Sequence, residues 1–343
     1  MVKTPLRRKI FWLLIGGLLA GGASAAVEAK SGLLGLSLPA EFQPFATDSP
    51  WNQPLPPEPV QDPDSAAMVA QLQKVAGKLK VDLIQWTVPL FVINAAQAPP
   101  RRVIAAEPLH PSVDPDGDGW VENLPLPDGI WPDPQKDGHL LLVDPQQRRS
   151  WDLSRAQSLP DGSWRVTRLA IWDLDGPGYA PADFGKRWWM FGARGTGMPL
   201  LAGLIRPEEV AAGEVRHTLA CATPINRRAA FPGGPLELCS PPAARSDGRL
   251  DGPQFLPAGA RLQLDPTLDL DHLGLSPASR VVARAMQVYG LINVDVADTF
   301  KLYFQNLGPD GGRWRELGDF RDLANIPLDR FRVIECQIVS KMP

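Results

Sequence analysis

Proline and glycine punctuate this chain from end to end, 37 and 31 of its 343 residues, and that density decides what it can fold into. A proline inside a helix removes a hydrogen bond and clashes with the preceding turn, and a glycine adds an entropic cost, so few segments can stay helical for long. Between the breaks lie short runs rich in β-branched and aromatic residues: 81–94, 102–107, 139–144, 148–153, 163–172, 186–191, 215–223, 261–264, 291–297, 299–305 and 331–339. Bounded by Pro, Gly, Asp and Asn, these read as strands. Three helices interrupt them. Asp62 or Asp64 caps one that runs to Leu79, with Met68, Leu72, Val75 and Leu79 at helical spacing. Pro207 opens a short one over 207–212, and Ser276 caps one over 277–289 that Gly290 stops. The helices are too few and too unevenly placed for a βαβ repeat. The expected class is mainly β, an antiparallel β-sandwich or jelly roll with a few peripheral helices.

The start of the chain has a different texture. Lys3, Arg7, Arg8 and Lys9 precede an apolar run from Ile10 to about Ala20, and Ala23-Ser24-Ala25 offers the small residues that a signal peptidase requires. The run is shorter than the roughly 20 residues a hydrocarbon core demands. Residues 1–25 therefore read as a secretory signal peptide, with an uncleaved anchor as the alternative. Residues 26–45 read as a tether and 46–343 as a single β-rich domain, with Trp51 as the point where the proline-rich approach docks. The mature chain is expected to be secreted or periplasmic, with no stable membrane insertion after signal cleavage. Losing the four basic leader residues takes the formal net charge from −3 to −7. With no basic stripe to neutralise phosphates, no nucleic-acid partner is expected.

Three cysteines leave one over if two of them pair. Cys221 and Cys239 would close a loop rich in Pro, Gly and Arg, with Cys336 in the 331–339 run as a buried thiol, but three pairings are open and spacing does not choose among them.

The sharpest local motif is the turn from Asp114 to Glu122, where Asp114, Asp116 and Asp118 alternate ahead of Gly119. Alternating carboxylates on a tight turn aim hard oxygens at one cation, so Asp114, Asp116, Asp118 and Glu122 read either as a structural Ca²⁺ loop or as a solvated acidic turn. Pro125 stands where an EF-hand carries its last glutamate. Histidines number four and none is spaced as in H-E-x-x-H, so a zinc site has no local signature. His139, after Asp137-Gly138, opens a strand and can face a cleft, and His217 shares a strand face with Val215, Leu219 and Cys221; either is a candidate base or a core residue. In 291–297, alternation puts Asn293 and Asp295 on one face and Ile292, Val294 and Val296 on the other. Tyr289 lies just before that strand. Arg206 can grip a carboxylate or stay in a helix-cap ion pair. Eleven tryptophans stand against three tyrosines; Trp188-Trp189 form an adjacent strand pair, and Trp120 and Trp131, in loops, are the candidates for sugar stacking. No G-x-S-x-G elbow occurs, and the Gly192–Gly197 stretch lacks the lysine of a phosphate loop.

Ser49-Pro-Trp-Asn52, Asp137-Gly-His139, Ala202-Gly-Leu-Ile-Arg206 and Tyr289-Gly290 resemble segments of uncharacterised exported bacterial proteins over nearly the whole mature domain. The resemblance implies a shared fold and export, and transfers no activity and no catalytic residue.

These readings converge on a secreted enzyme acting on polysaccharide or cell-envelope glycan. As a lyase, it would use His139 or His217 as base, Tyr289 as acid, and Arg206 with Asn293 to neutralise a uronate carboxylate. As a glycoside hydrolase, it would pair Asp295 with Asp137 or Asp175. The alternative is a non-catalytic glycan-binding or envelope-associated module.

Overall fold

The computed structural model describes residues 31–180, 190–228 and 238–339. Residues 1–25, read as a signal peptide, residues 26–30 of the segment read as a tether, and Trp188-Trp189 with most of the 186–191 run lie outside the described residues.

The chain is mainly β, 29% strand against 16% helix, and the strands form two large sheets and two small ones. The first large sheet orders β1 (Leu33–Gly35), β3 (Val88–Ile93), β6 (Leu140–Asp144), β7 (Arg149–Ser154) and β10 (Arg168–Asp173), with β16 (Gln305–Asn306) also on β3. The second orders β17 (Phe331–Ile334), β13 (Arg261–Leu264), β14 (Leu291–Val296), β11 (Leu219–Thr223), β15 (Phe300–Tyr303) and β2 (Leu79–Asp82). A four-stranded sheet joins β5 (Trp120–Pro125), β4 (Pro100–Ala105), β9 (Trp164–Val166) and β8 (Gln157–Ser158), and β12 (Leu238–Cys239) pairs β18 (Ile338–Val339).

Pairing is mixed rather than purely antiparallel: β3 with β6, β11 with β14, and β15 with β2 run parallel. Parallel neighbours need a long return connection. For β11 and β14 that connection includes the helix over 277–288, which the sequence marked clearly.

Four α-helices are present among the described residues: α1 (Ser65–Ala76), α2 (Pro207–Ala211), α3 (Pro277–Val288) and α4 (Trp314–Leu317). Ser276 caps α3, its hydroxyl accepting the Ser279 N–H at 3.2 Å. The first helix ends earlier than its apolar spacing suggests, because Gly77 takes φ 69° and turns the chain. Leu79 then begins β2 instead of closing the helix.

The middle of the second sheet is buried on both faces. Ala220, Ala222, Ile292, Val294 and Tyr303 join one apolar core with the first sheet. Leu219, Cys221, Leu291, Phe300 and Leu302 face a second core with Met68 and Leu72 of α1 and Val282 and Met286 of α3. The result is a layered, sandwich-like body. Residues 31–45, read as tether, contain β1 and bury Leu38 and Phe45. Trp51 docks as expected, 1% exposed, with its indole N–H donating to Gly178 O at 2.8 Å.

Cys239 pairs with Cys336, 97 residues away, and not with Cys221. The β12–β18 ladder sets Cys239 opposite Ile338, which brings the two cysteines together. Cys221, in the middle of the second sheet, is a buried free thiol. A loop of that length loses roughly 4–5 kcal/mol of unfolded-chain entropy on closure. No helix among the described residues is long and apolar enough to cross a membrane.

Candidate functional site

A register shift in β14 builds the site. Along the parallel β11–β14 pair, Asn293 partners Cys221 but Asp295 partners Ala222, so one residue is gained between them. Such an irregularity re-aims the side chains that follow. Asn293 therefore stays on the face of the second core, its side-chain amide donating to Pro257 O at 3.2 Å, while Asp295 turns to the side of Ala222 and Tyr303. The expected sharing of one polar face by Asn293 and Asp295 is thus broken. On the next strand Lys301 partners the same Ala222. Asp295, Ala222 and Lys301 form one row across three strands, with Tyr303 two residues further along β15.

Two segments outside the sheets close on this row. Arg245, buried, donates to the carbonyls of Phe191 at 2.7 Å, Gly192 at 2.8 Å and Gly195 at 3.0 Å, and also to that of Arg194. The Thr196 hydroxyl ties the same stretch to Val294 O at 2.5 Å. Two residues beyond Arg245, Asp247 turns its carboxyl group to Asp295. The two carboxyls meet over Gly195: a Cβ there would stand 2.2 Å from Asp247 Oδ2 and 2.8 Å from Asp295 Oδ1. A side chain at this position would push one of the two carboxyls aside.

Burial, and next the Asp247 carboxyl group, raise the Asp295 pKa well above the ordinary carboxylate range, and Asp137 adds to the rise. The Tyr303 hydroxyl points at Asp295 Oδ2 across 3.4 Å. Burial and then Asp295 keep that phenol protonated. Arg194, fully buried, has its guanidinium carbon 4.7 Å from the centre of the Tyr303 ring, and its Nε and Nη1 have no hydrogen-bond partner among the described residues. Lys301 donates to Trp86 O at 2.7 Å.

Asp137-Gly138-His139 reaches the same place from the first sheet. Gly138 packs where a Cβ would meet Arg155 Cα at 2.8 Å. His139 is buried, and its pKa falls to about 3, first from burial and then from Arg194 and Lys301. A base that weak does not abstract a proton near neutral pH, so its expected catalytic role is not supported.

The remaining expected residues lie elsewhere. Leu219 partners Leu291 and Thr223 partners Val296, so His217, just before β11, and Tyr289, just before β14, sit at the opposite end of the parallel pair from Asp295. Six residues of strand at ~3.3 Å each separate Tyr289 from Asp295 by roughly 20 Å. At that far end Arg206 is buried, with its guanidinium on Pro39 O at 3.0 Å, Phe42 O at 2.9 Å and Glu209 Oε1 at 2.6 Å. His217 Nε2 lies 3.2 Å from Glu209 Oε1, and Nδ1 lies 3.0 Å from Thr218 O. Both ring nitrogens of His217 thus face oxygens of this far-end cluster. Tyr289 is half-buried with Glu214 and Arg216 as its charged neighbours. Asp175 is paired with Arg148 at 2.8 Å on the surface.

In the acidic turn, Asp114, Asp116 and Asp118 each bring one oxygen within 4.8 Å of the others. Asp114 already accepts the N–H groups of Gly117 and Gly119 at 3.0 and 3.1 Å. Glu122 is not part of the set. It lies on β5, where it pairs with Arg102, whose guanidinium also covers Trp120.

Arg194, Asp247, Trp86, Lys301 and Tyr303 were not singled out from sequence. The nearest signals were the Gly192–Gly197 stretch and the rarity of tyrosine. No protein-family model, curated protein or solved structure matches the chain.

Proposed function

We propose that the protein is an exported glycoside hydrolase in which Asp295 is the general acid and Asp137 the second carboxyl group. The observation that carries the reading is the Asp247–Asp295 pair over Gly195. Two carboxyls that close cannot both ionise without strong repulsion, so the pair keeps a proton. Glycosidic cleavage needs such a group, still protonated near neutral pH, to protonate the leaving oxygen. A second carboxylate then attacks the sugar or activates water. Asp137, within electrostatic reach of Asp295, supplies it. Arg194 and Lys301 offset the negative charge left on Asp295 once the proton has gone, and the Tyr303 O–H donates to it. The lyase route has less support, because it needs a histidine base: His139 is too weak a base, and His217 sits against Glu209 at the opposite end of the β11–β14 pair from Asp295. Export agrees with the signal-like leader and with the Cys239–Cys336 disulfide, a bond favoured in oxidising compartments.

The test is incubation of the mature protein with a panel of neutral and acidic polysaccharides, with new reducing ends as the readout. Release that Asp295→Asn abolishes is the expected result. Retention on an immobilised glycan with no release from any polymer would replace the hydrolase with a non-catalytic binding module.

A further inference from the structure

Trp86 is a partly exposed aromatic held in a constrained backbone beside Lys301. It stands in the turn between β2 and β3 with φ 55°, a conformation a bulky residue avoids and keeps only when its surroundings enforce it. The enforcement is visible. The Trp86 carbonyl accepts from Lys301 Nζ, and the next residue donates its N–H to Asp133 Oδ2 at 3.2 Å and its hydroxyl to Phe304 O. The clamp leaves the indole partly open to solvent. Lys301 Nζ lies 5.9 Å from the centre of that ring and 5.4 Å from the centre of the Tyr303 ring. Trp86 is therefore one ammonium group away from the phenol that faces Asp295.

A second ammonium belongs to Lys136, directly before Asp137. It is exposed, lies 5.6 Å from the centre of the Trp86 ring, and makes no ion pair with any described residue. An exposed cation–π contact is worth only ~0.5–1 kcal/mol, so an incoming ring can displace it and keep its charge nearby. Lys301 is buried, held by the Trp86 carbonyl and by the charges of Asp82, Asp295 and Asp137, so the charge open to a ligand is that of Lys136. A flat apolar face with one exposed, unpaired ammonium group over it suits a sugar that is itself anionic.

We infer that the glycan cleaved here is a polyuronate, one acidic ring stacking on Trp86 with its carboxylate met by Lys136. This rests on the hydrolytic reading above. It is tested by comparing each of several polyuronates with the same polymer after carboxyl reduction, which leaves linkage and length intact and removes the charge. The mature protein should release reducing ends from a polyuronate at least tenfold faster than from its reduced counterpart, and Lys136→Glu should shrink that preference several-fold, chiefly through KM. Equal or faster cleavage of the reduced polymer would overturn the inference while leaving the hydrolase intact. A preference unmoved by Lys136→Glu would overturn it as well. No reducing ends from either polymer in any pair would remove the hydrolase and the inference together.

Discussion

The two ends of the parallel β11–β14 pair gather charge in opposite ways. At the starting end, Arg206, Glu209 and His217 answer one another: Glu209 accepts from the Arg206 backbone and guanidinium, and Arg206 also binds two carbonyls of the 31–45 segment. Burial alone would raise the Glu209 pKa, but His217 and Arg206 outweigh it and hold it below the ordinary value. At the finishing end, Asp295 is pushed the other way, and Arg194 and Asp247 keep buried atoms without partners. A satisfied set of charges fastens one piece of chain to another. An unsatisfied set keeps a proton that can be given away, and pays in stability for that readiness.

The contrast can be broken most forcefully by Asp295→Asn. It should lower kcat about 100- to 10,000-fold, the range of a lost general acid, with an unchanged or higher Tm because a repulsion is relieved. A fall in Tm with no loss of turnover would exchange the roles of the two ends. Glu209→Gln should do the reverse. Leaving Arg206 buried without its carboxylate costs about 3–5 kcal/mol in denaturant unfolding, while activity per folded molecule is kept.

Gly195→Ala comes next, since its Cβ has no space beside Asp247 and Asp295. We expect at least a tenfold drop in activity and a shift in the pH profile of kcat/KM; a wild-type profile would refute the shared pair.

The pH dependence of stability sharpens the comparison further. Glu209, with its folded pKa depressed, contributes stability that is present above its unfolded value of 4.5 and lost as the pH falls through the folded one. Asp152 lies beside Arg194 and is raised by burial from 3.8 to about 7. Its contribution is complete below 3.8 and lost as the pH rises through about 7. Asp152→Asn should therefore flatten the decline of Tm across that window, and an unaltered Tm curve would count against the burial of this carboxyl group. The smallest effect concerns the acidic turn, which belongs to neither end. If Asp114, Asp116 and Asp118 hold Ca²⁺, millimolar Ca²⁺ raises Tm by a degree or two and Asp116→Asn abolishes the rise; no shift marks a solvated turn.

Much of the frame could be read locally. Ser276 and Gly290 bracket α3 because a cap and a stop act within a turn of the chain, and runs such as 139–144, 148–153 and 261–264 became strands between local breaks. The run over 81–94 misled, because its break at Trp86 depends on Lys301 and Asp133, which arrive from distant segments. Asp295 and Asp137 were legible as acids, and Trp51 as an anchor.

What the sequence alone determined was therefore the class of fold, the Ser276 cap of α3, and which side chains were chemically capable, since composition and short-range spacing govern those; Asp64 stands at the start of α1 without a side-chain cap bond. Tertiary structure decided the company each one keeps. A single-residue shift in β14 moved Asp295 away from the face of Asn293, and parallel pairing put His217 and Tyr289 at the opposite end from Asp295. Pairing register and contacts across the core are set by the packing of whole sheets, and no local pattern records them.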